Sequence, residues 1–157
     1  MSALTPDQED PEPEVTSADG SDADSLSGEH RLTLGITVDG RVTARPYGNL
    51  PEQHLVIVDQ ADGSKGIRNM FSNMALGMTA AGVTARRYDG LADQSFTITT
   101  EHTRKKKVRC KYDRNIVLAT PSSNNVLARP EQYTKAEAFD LVTQPHYNST
   151  GIRNAYF

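Results

Sequence analysis

The chain has 157 residues, no Trp, one Cys and a formal net charge of −3. That charge is split: residues 1–30 hold nine acids and no Lys or Arg, so all 17 Lys and Arg fall in residues 31–157 against the other 11 acids, a division of −9 against +6. A lone Cys110 excludes an intrachain disulfide and a cysteine-based zinc cluster, and no stretch has the length and apolarity of a membrane-spanning helix.

Residues 1–29 are rich in Asp, Glu, Ser and Pro, with Leu4, Val15 and Leu26 as the large aliphatics after Met1. Such a segment buries too little apolar surface to offset its ordering entropy, so a disordered acidic arm is expected. It lacks the basic start and apolar run of a signal peptide, which points to a cytoplasmic or virion location. Residues 30–147 are read as one domain and 148–157 as a C-terminal tail.

In "RLTLGITVDGRVTARPYG" (31–48), Leu32, Leu34 and Ile36 alternate with polar residues. A three-residue loop, Val38-Asp39-Gly40, pairs Ile36 with Val42 and Leu34 with Ala44 and keeps one face apolar. "HLVIVDQ" (54–60) reads as a strand covered on both faces. Ile67, Met70, Phe71, Met74, Met78 and Ala81 follow at helical spacing, predicting a long helix over 64–81 with Gly82 as its stop. "SFTITTEH" and "KVRCKYDRNIVLAT" form a second expected hairpin, with Thr100 opposite Val108, Ile98 opposite Cys110 and Phe96 opposite Tyr112. Thr134 and Glu137 make a capping box that opens a short helix. The fold class expected is therefore α+β: a mostly antiparallel sheet of about five strands with one long and one short helix.

"HTRKKKVRCKYDR" (102–114) carries the main functional signal. Arg104, Lys105, Lys106, Lys107, Arg109 and Lys111 are expected to form one solvent-facing cationic stripe, suited to phosphates. The plainer reading is a charged guard on an exposed edge. No zinc finger, helix-turn-helix or RNA-recognition aromatic motif accompanies it. The stretch "DGSKGIR" (62–68) offers a weaker phosphate site, with Ser64, Lys65 and Arg68 at the expected helix start, but it lacks the phosphate-loop spacing. Asp59 and Asp62 lack further spaced ligands. His30, His54, His102 and His146 are scattered, and Cys110 faces the core. No catalytic residue, metal site or cofactor is expected. "GIRNMF" (66–71) and "GIRNAYF" (151–157) share four residues, too short a match to predict a repeat.

These features predict a non-enzymatic module that binds RNA or DNA through the basic hairpin, with the acidic arm as competitor or partner-binding segment. The size, hairpins and basic strand resemble small viral coat proteins that bind RNA on a sheet, implying a self-assembling subunit and a homo-oligomer as the second expectation. A small phosphate- or nucleotide-binding enzyme using the 59–68 loop is the third. No membrane partner is expected.

Overall fold

The computed structural model describes residues 31–157 and, of the first 30 residues, two strands, Ala3–Leu4 and Asp7–Gln8, paired antiparallel. The expected disorder of the acidic arm lies outside the described residues. Residues 31–157 form a unit of their own.

This unit is all-β, which corrects the α+β expectation. Its twelve strands are β1 (Leu32–Ile36), β2 (Val42–Pro46), β3 (Leu55–Asp59), β4 (Lys65–Asn69), β5 (Met74–Thr79), β6 (Gly82–Arg87), β7 (Phe96–Thr100), β8 (Lys106–Cys110), β9 (Ile116–Ser122), β10 (Asn125–Pro130), β11 (Phe139–Gln144) and β12 (Ser149–Asn154). Strands β3, β4, β7, β8, β11 and β12 pair in that order, and β12 returns to β3, closing a six-stranded barrel. Hairpins β1–β2, β5–β6 and β9–β10 branch from β12, β4 and β8 respectively. Closure removes exposed barrel edges. Three equivalent units, each two barrel strands and one hairpin, make a β-trefoil.

The expected long helix is absent because 64–81 satisfies strand chemistry better. Its Asn69 side chain accepts the Phe71 N–H (2.8 Å), and Ser72 Oγ accepts the Met74 N–H (3.3 Å). Short polar side chains that take over backbone groups favour turns over helix. Gly66, Gly77 and Asn73 weaken helix further. Lys65–Asn69 instead pairs with Leu55–Asp59, Ile67 opposite Ile57. Phe71, placed on the buried helix face by its spacing, is 53% exposed. The short helix is likewise one 3-10 turn, Lys135–Glu137, followed by β11. The expected capping box is not formed: Glu137 accepts the N–H groups of Gln132 and Tyr133, upstream of the turn.

The first hairpin has the register expected, Leu34 opposite Ala44 and Ile36 opposite Val42. The second pairs Phe96 with Cys110, Ile98 with Val108 and Thr100 with Lys106, two residues from the expected alignment. Tyr112 thereby leaves the sheet and is exposed. Ser149–Asn154, within the stretch read as a tail, is a barrel strand, and Ala155 is buried.

The four residues shared by 66–69 and 151–154 mark a true repeat, contrary to the sequence expectation. Gly66-Ile67-Arg68-Asn69, Lys107-Val108-Arg109-Cys110 and Gly151-Ile152-Arg153-Asn154 occupy the same place in three units, with the same burial pattern. Leu34, Leu76 and Leu118 match likewise, as do Leu55, Phe96 and Phe139, and together with Ile67, Val108 and Ile152 they form the core. Val42-Thr43-Ala44-Arg45, Val83-Thr84-Ala85-Arg86 and Val126-Leu127-Ala128-Arg129 match on the hairpins. Asn69 donates to the Ile36 carbonyl (3.2 Å), Asn154 to Thr120 Oγ1 (3.1 Å), and Cys110 Sγ lies 3.5 Å from the Met78 carbonyl; Ile36, Met78 and Thr120 are themselves equivalent.

Candidate functional site

Each repeat contributes one junction, where the turn between two barrel strands meets the loop leaving the next strand. Two residues beyond Asn69, Cys110 and Asn154 stand Phe71, Tyr112 and Tyr156, all exposed. Three aromatics at equivalent positions, none needed by the core, mark the junctions as surfaces for comparison.

The first junction is neutral. His54 is buried, with Nδ1 2.6 Å from Ser149 Oγ and Nε2 2.8 Å from Asn49 Oδ1. The Ser149 hydroxyl donates to Gln144 Oε1 (2.7 Å). The rings of Tyr47, Phe71 and Tyr147 meet His54 edge to face at 6.1, 5.8 and 4.9 Å. Burial, then His146, lowers the His54 pKa. The second junction follows the same plan, with Ser64 and Ser95 both donating to Gln60 Oε1 at 3.0 Å. Gly66 and Gly151 leave room for the glutamines: a Cβ at Gly66 would sit 2.8 Å from Gln60 Nε2, and one at Gly151 would collide with Gln144.

The third junction contains the basic hairpin and is built from charges. Lys107 stands where the others have glycine, Lys105 where they have Ser64 and Ser149, and Glu101 where they have Gln60 and Gln144. Lys107 is 6% exposed and is ion-paired with Glu131 and, at 3.5 Å, with Glu137. Arg109 makes a two-pronged pair with Glu131 (2.8 and 3.1 Å). Hydrogen bonding from Arg109, then from Lys107, pulls the Glu131 carboxyl down to about 2. The expected continuous stripe is therefore divided. Lys107 and Arg109 point into a carboxylate cluster, Lys105 lies 3.4 Å from Asp140, and Lys111 bonds the Asp62 carbonyl (2.8 Å). Lys106 bonds Thr100 Oγ1 (2.7 Å), and Arg104 is exposed at the tip.

Beside that tip lies a groove of about 200 Å³, lined by His102, Lys105, Lys106, Tyr133, Lys135 and Tyr156. Lys107 Nζ sits 4.6 Å from the Tyr133 ring centre, and Lys135 Nζ 5.4 Å from that of Tyr156. One lining residue and one residue of the hairpin tip have left-handed backbone. Tyr133 has φ 57°, where the equivalent residues are Asn49 and Gly90; Arg104 has φ 68°, where the equivalents are Gly63 and Asn148. Asn and Gly tolerate this region, whereas other L-residues lose roughly 1–2 kcal/mol there. Tyr133 is also 80% exposed, so beyond its contact with Lys107 the ring gains little from burial.

The weaker phosphate reading loses its helix start. Ser64 is buried and hydrogen-bonded to Asp62 and Gln60, Lys65 is paired with Asp59, and Arg68 is half-buried on β4. Hydrogen bonds from Ser64 and Tyr112 hold the Asp62 carboxyl well below the usual range. Burial pushes the Cys110 thiol up to about 11, which removes its thiolate character at neutral pH. Sequence reasoning missed Tyr133 and Lys135 and gave Tyr156 no assigned role. The available signal was the repeat, which aligns Tyr133 with Asn49 and Gly90. No protein-family model and no curated protein sequence matches the chain.

Proposed function

We propose that this protein is a non-enzymatic binding module for anionic polymers, single-stranded RNA or DNA above all, and that the Tyr133–Tyr156 groove is its contact surface. The observation that carries this reading is the pair of unfavourable left-handed residues, both exposed: Tyr133, which lines the groove, and Arg104, at the hairpin tip between the lining residues Thr103 and Lys105. Strain retained at largely exposed side chains points to use. The surrounding chemistry agrees. Lys105, Lys106 and Lys135 offer cations to phosphates, and the Tyr133 and Tyr156 rings offer faces on which bases stack. Lys107 and Arg109 serve differently here: they hold the Glu131–Glu137 loop that presents Tyr133.

The test compares Arg104→Asn and Tyr133→Asn with the parent. Each should raise stability by about 1 kcal/mol, read from denaturant midpoints, because Asn accepts the backbone. Each should also weaken salt-sensitive binding to a single-stranded oligonucleotide, read by fluorescence anisotropy. Stabilised variants that bind as well as the parent would refute the groove as the site. Removing residues 1–28 takes away eight of the arm's nine acids and should strengthen binding, if the arm competes for the cations.

A further inference from the structure

We propose a phosphate site on the outer wall of the barrel, built by Arg31, Lys105 and Arg153 around Asp140, with Lys105 common to it and the groove. Asp140 on β11 stands opposite Arg153 on β12, which stands opposite Thr33 on β1. Arg31, just before β1, reaches across β12 to within 3.7 Å of Asp140 Oδ2. Lys105 comes from the side of β8 to 3.4 Å from Asp140 Oδ1. Charge-assisted bonds run at about 2.7–2.9 Å, so both contacts are loose. Three cations thus surround one carboxylate and leave a positive surplus. All four residues are half-buried, where charges are screened less than in open solvent.

The other repeats show that the barrel does not require this arrangement. Asn73 and Asn115 stand at the place of Arg31, and Val56 and Thr97 at that of Asp140. Arg109, the counterpart of Arg153, has Glu131 as a two-pronged partner. Tyr47 stands at the place of Glu131 beside Arg153, and among the described residues no carboxylate pairs with Arg153. Nε of Arg31 and Nε of Arg153 are buried without an acceptor, and among the described residues they are the buried side-chain polar atoms left so. Guanidinium groups held this way raise the free energy of the folded chain until an anion meets the same fork. A phosphate monoester carries a charge of about −1.5 to −2 at neutral pH, which matches three cations set against one carboxylate. Guanidiniums also grip phosphate oxygens through paired N–H bonds. A carboxylate ligand would bring a single charge and leave part of the surplus uncompensated.

The experiment titrates the full chain with inorganic phosphate at low ionic strength and follows the Nε–H resonances of Arg31 and Arg153, with acetate and dimethyl phosphate as comparisons. Phosphate should shift both resonances saturably and bind more tightly than either comparison. Arg153→Gln should weaken phosphate roughly tenfold through loss of charge-assisted hydrogen bonds. Asp140→Asn should tighten it roughly fivefold by removing the opposing charge, a gain that a misfolded variant cannot mimic. Arg68→Gln, at the place of Arg153 in another repeat, and Tyr133→Asn in the groove should both leave phosphate binding intact, so this site and the groove stand or fail separately. An oligonucleotide with and without a 5′-phosphate then tells the source: arginine shifts with the phosphorylated form alone name a nucleic-acid end, and shifts with neither name a small phosphorylated molecule. Absence of saturable shifts, acetate or dimethyl phosphate binding as tightly as phosphate, or an Arg153→Gln or Asp140→Asn variant that binds like the parent would each overturn the assignment.

Discussion

The junction around His54 and the junction around Lys107 occupy the same position in two repeats of one chain, yet they are filled by opposite means. One uses glycine, serine, glutamine and histidine, all uncharged or held neutral. The other replaces them with lysines and glutamates that neutralise one another out of water. The barrel accepts both solutions because each satisfies its buried polar atoms. The density of cations in the third repeat thus reflects, in part, an internal network. Only the cations that escape it are available to a ligand.

The largest effect should come from breaking the charged junction. Lys107→Ala removes the buried cation shared by Glu131 and Glu137, which keep Arg109 and Arg129, and should cost about 2–3 kcal/mol, measured by chemical denaturation. Copying the plan of the other repeats instead, with Glu101→Gln, Lys105→Ser, Lys107→Gly, Glu131→Tyr and Glu137→Gln, and with Ala136→Glu to give Arg129 the carboxylate that Glu52 and Asp93 give Arg45 and Arg86, should recover most of that loss. If the sixfold variant is no more stable than Lys107→Ala, the two junctions are not interchangeable.

Acid should separate the junctions next. His54 has a folded pKa below its ordinary 6.5, so the folded state binds fewer protons there. Its contribution is complete above pH 6.5 and is lost as pH falls below it. Glu131 is depressed from 4.5 to about 2, so its contribution is complete above pH 4.5 and is lost between 4.5 and 2. Melting temperature against pH should therefore bend twice. His54→Gln should remove the upper bend and Glu131→Gln should reduce the lower one, to which Asp62 also contributes. A single bend, unmoved by either substitution, would contradict this account.

Cys110→Asn restores the side chain found at Asn69 and Asn154 and should stabilise by about 1 kcal/mol through a new hydrogen bond to the Met78 carbonyl. Phe71→Ala should change stability least, by less than about 0.5 kcal/mol, because about half of the residue is in solvent and it lies outside the core. A larger loss would mean that its edge contacts with His54 (5.8 Å) and Tyr147 (5.0 Å) carry real weight.

Alternation made the first hairpin legible, register included, because slipping Ile36 by one residue would expose it. The same rule failed on 64–81. There Ile67, Met74 and Met78 fit helical spacing as well as two strands, and the decisive Asn69 and Ser72 act through side-chain bonds to the backbone. The second hairpin slipped by two residues, a shift that preserves its faces and so leaves no trace in hydrophobic pattern. Of the site, Arg104, Lys105 and Lys106 were legible as charge. The burial of Lys107 was not, because its partners Glu131 and Glu137 lie far along the chain. Tyr133 became informative only when compared with Asn49 and Gly90.

The Leu32 N–H bonds the Phe157 carbonyl, so the first repeat is completed by a hydrogen bond where the other two are joined by peptide. Strand order in space is therefore independent of where the chain is cut. During synthesis the hairpin Leu32–Pro46 emerges early but must wait for Ser149–Asn154, the barrel strand from which it branches. Residues 65–144, with two hairpins and their own barrel strands, need no such delay. Folding should begin in that middle stretch and end with closure across almost the whole domain, a long-range step of the kind that slows β-rich proteins. A rearranged chain that joins residue 157 to residue 31 and opens at the Ala80–Ala81 turn would move that late step elsewhere while keeping the same barrel.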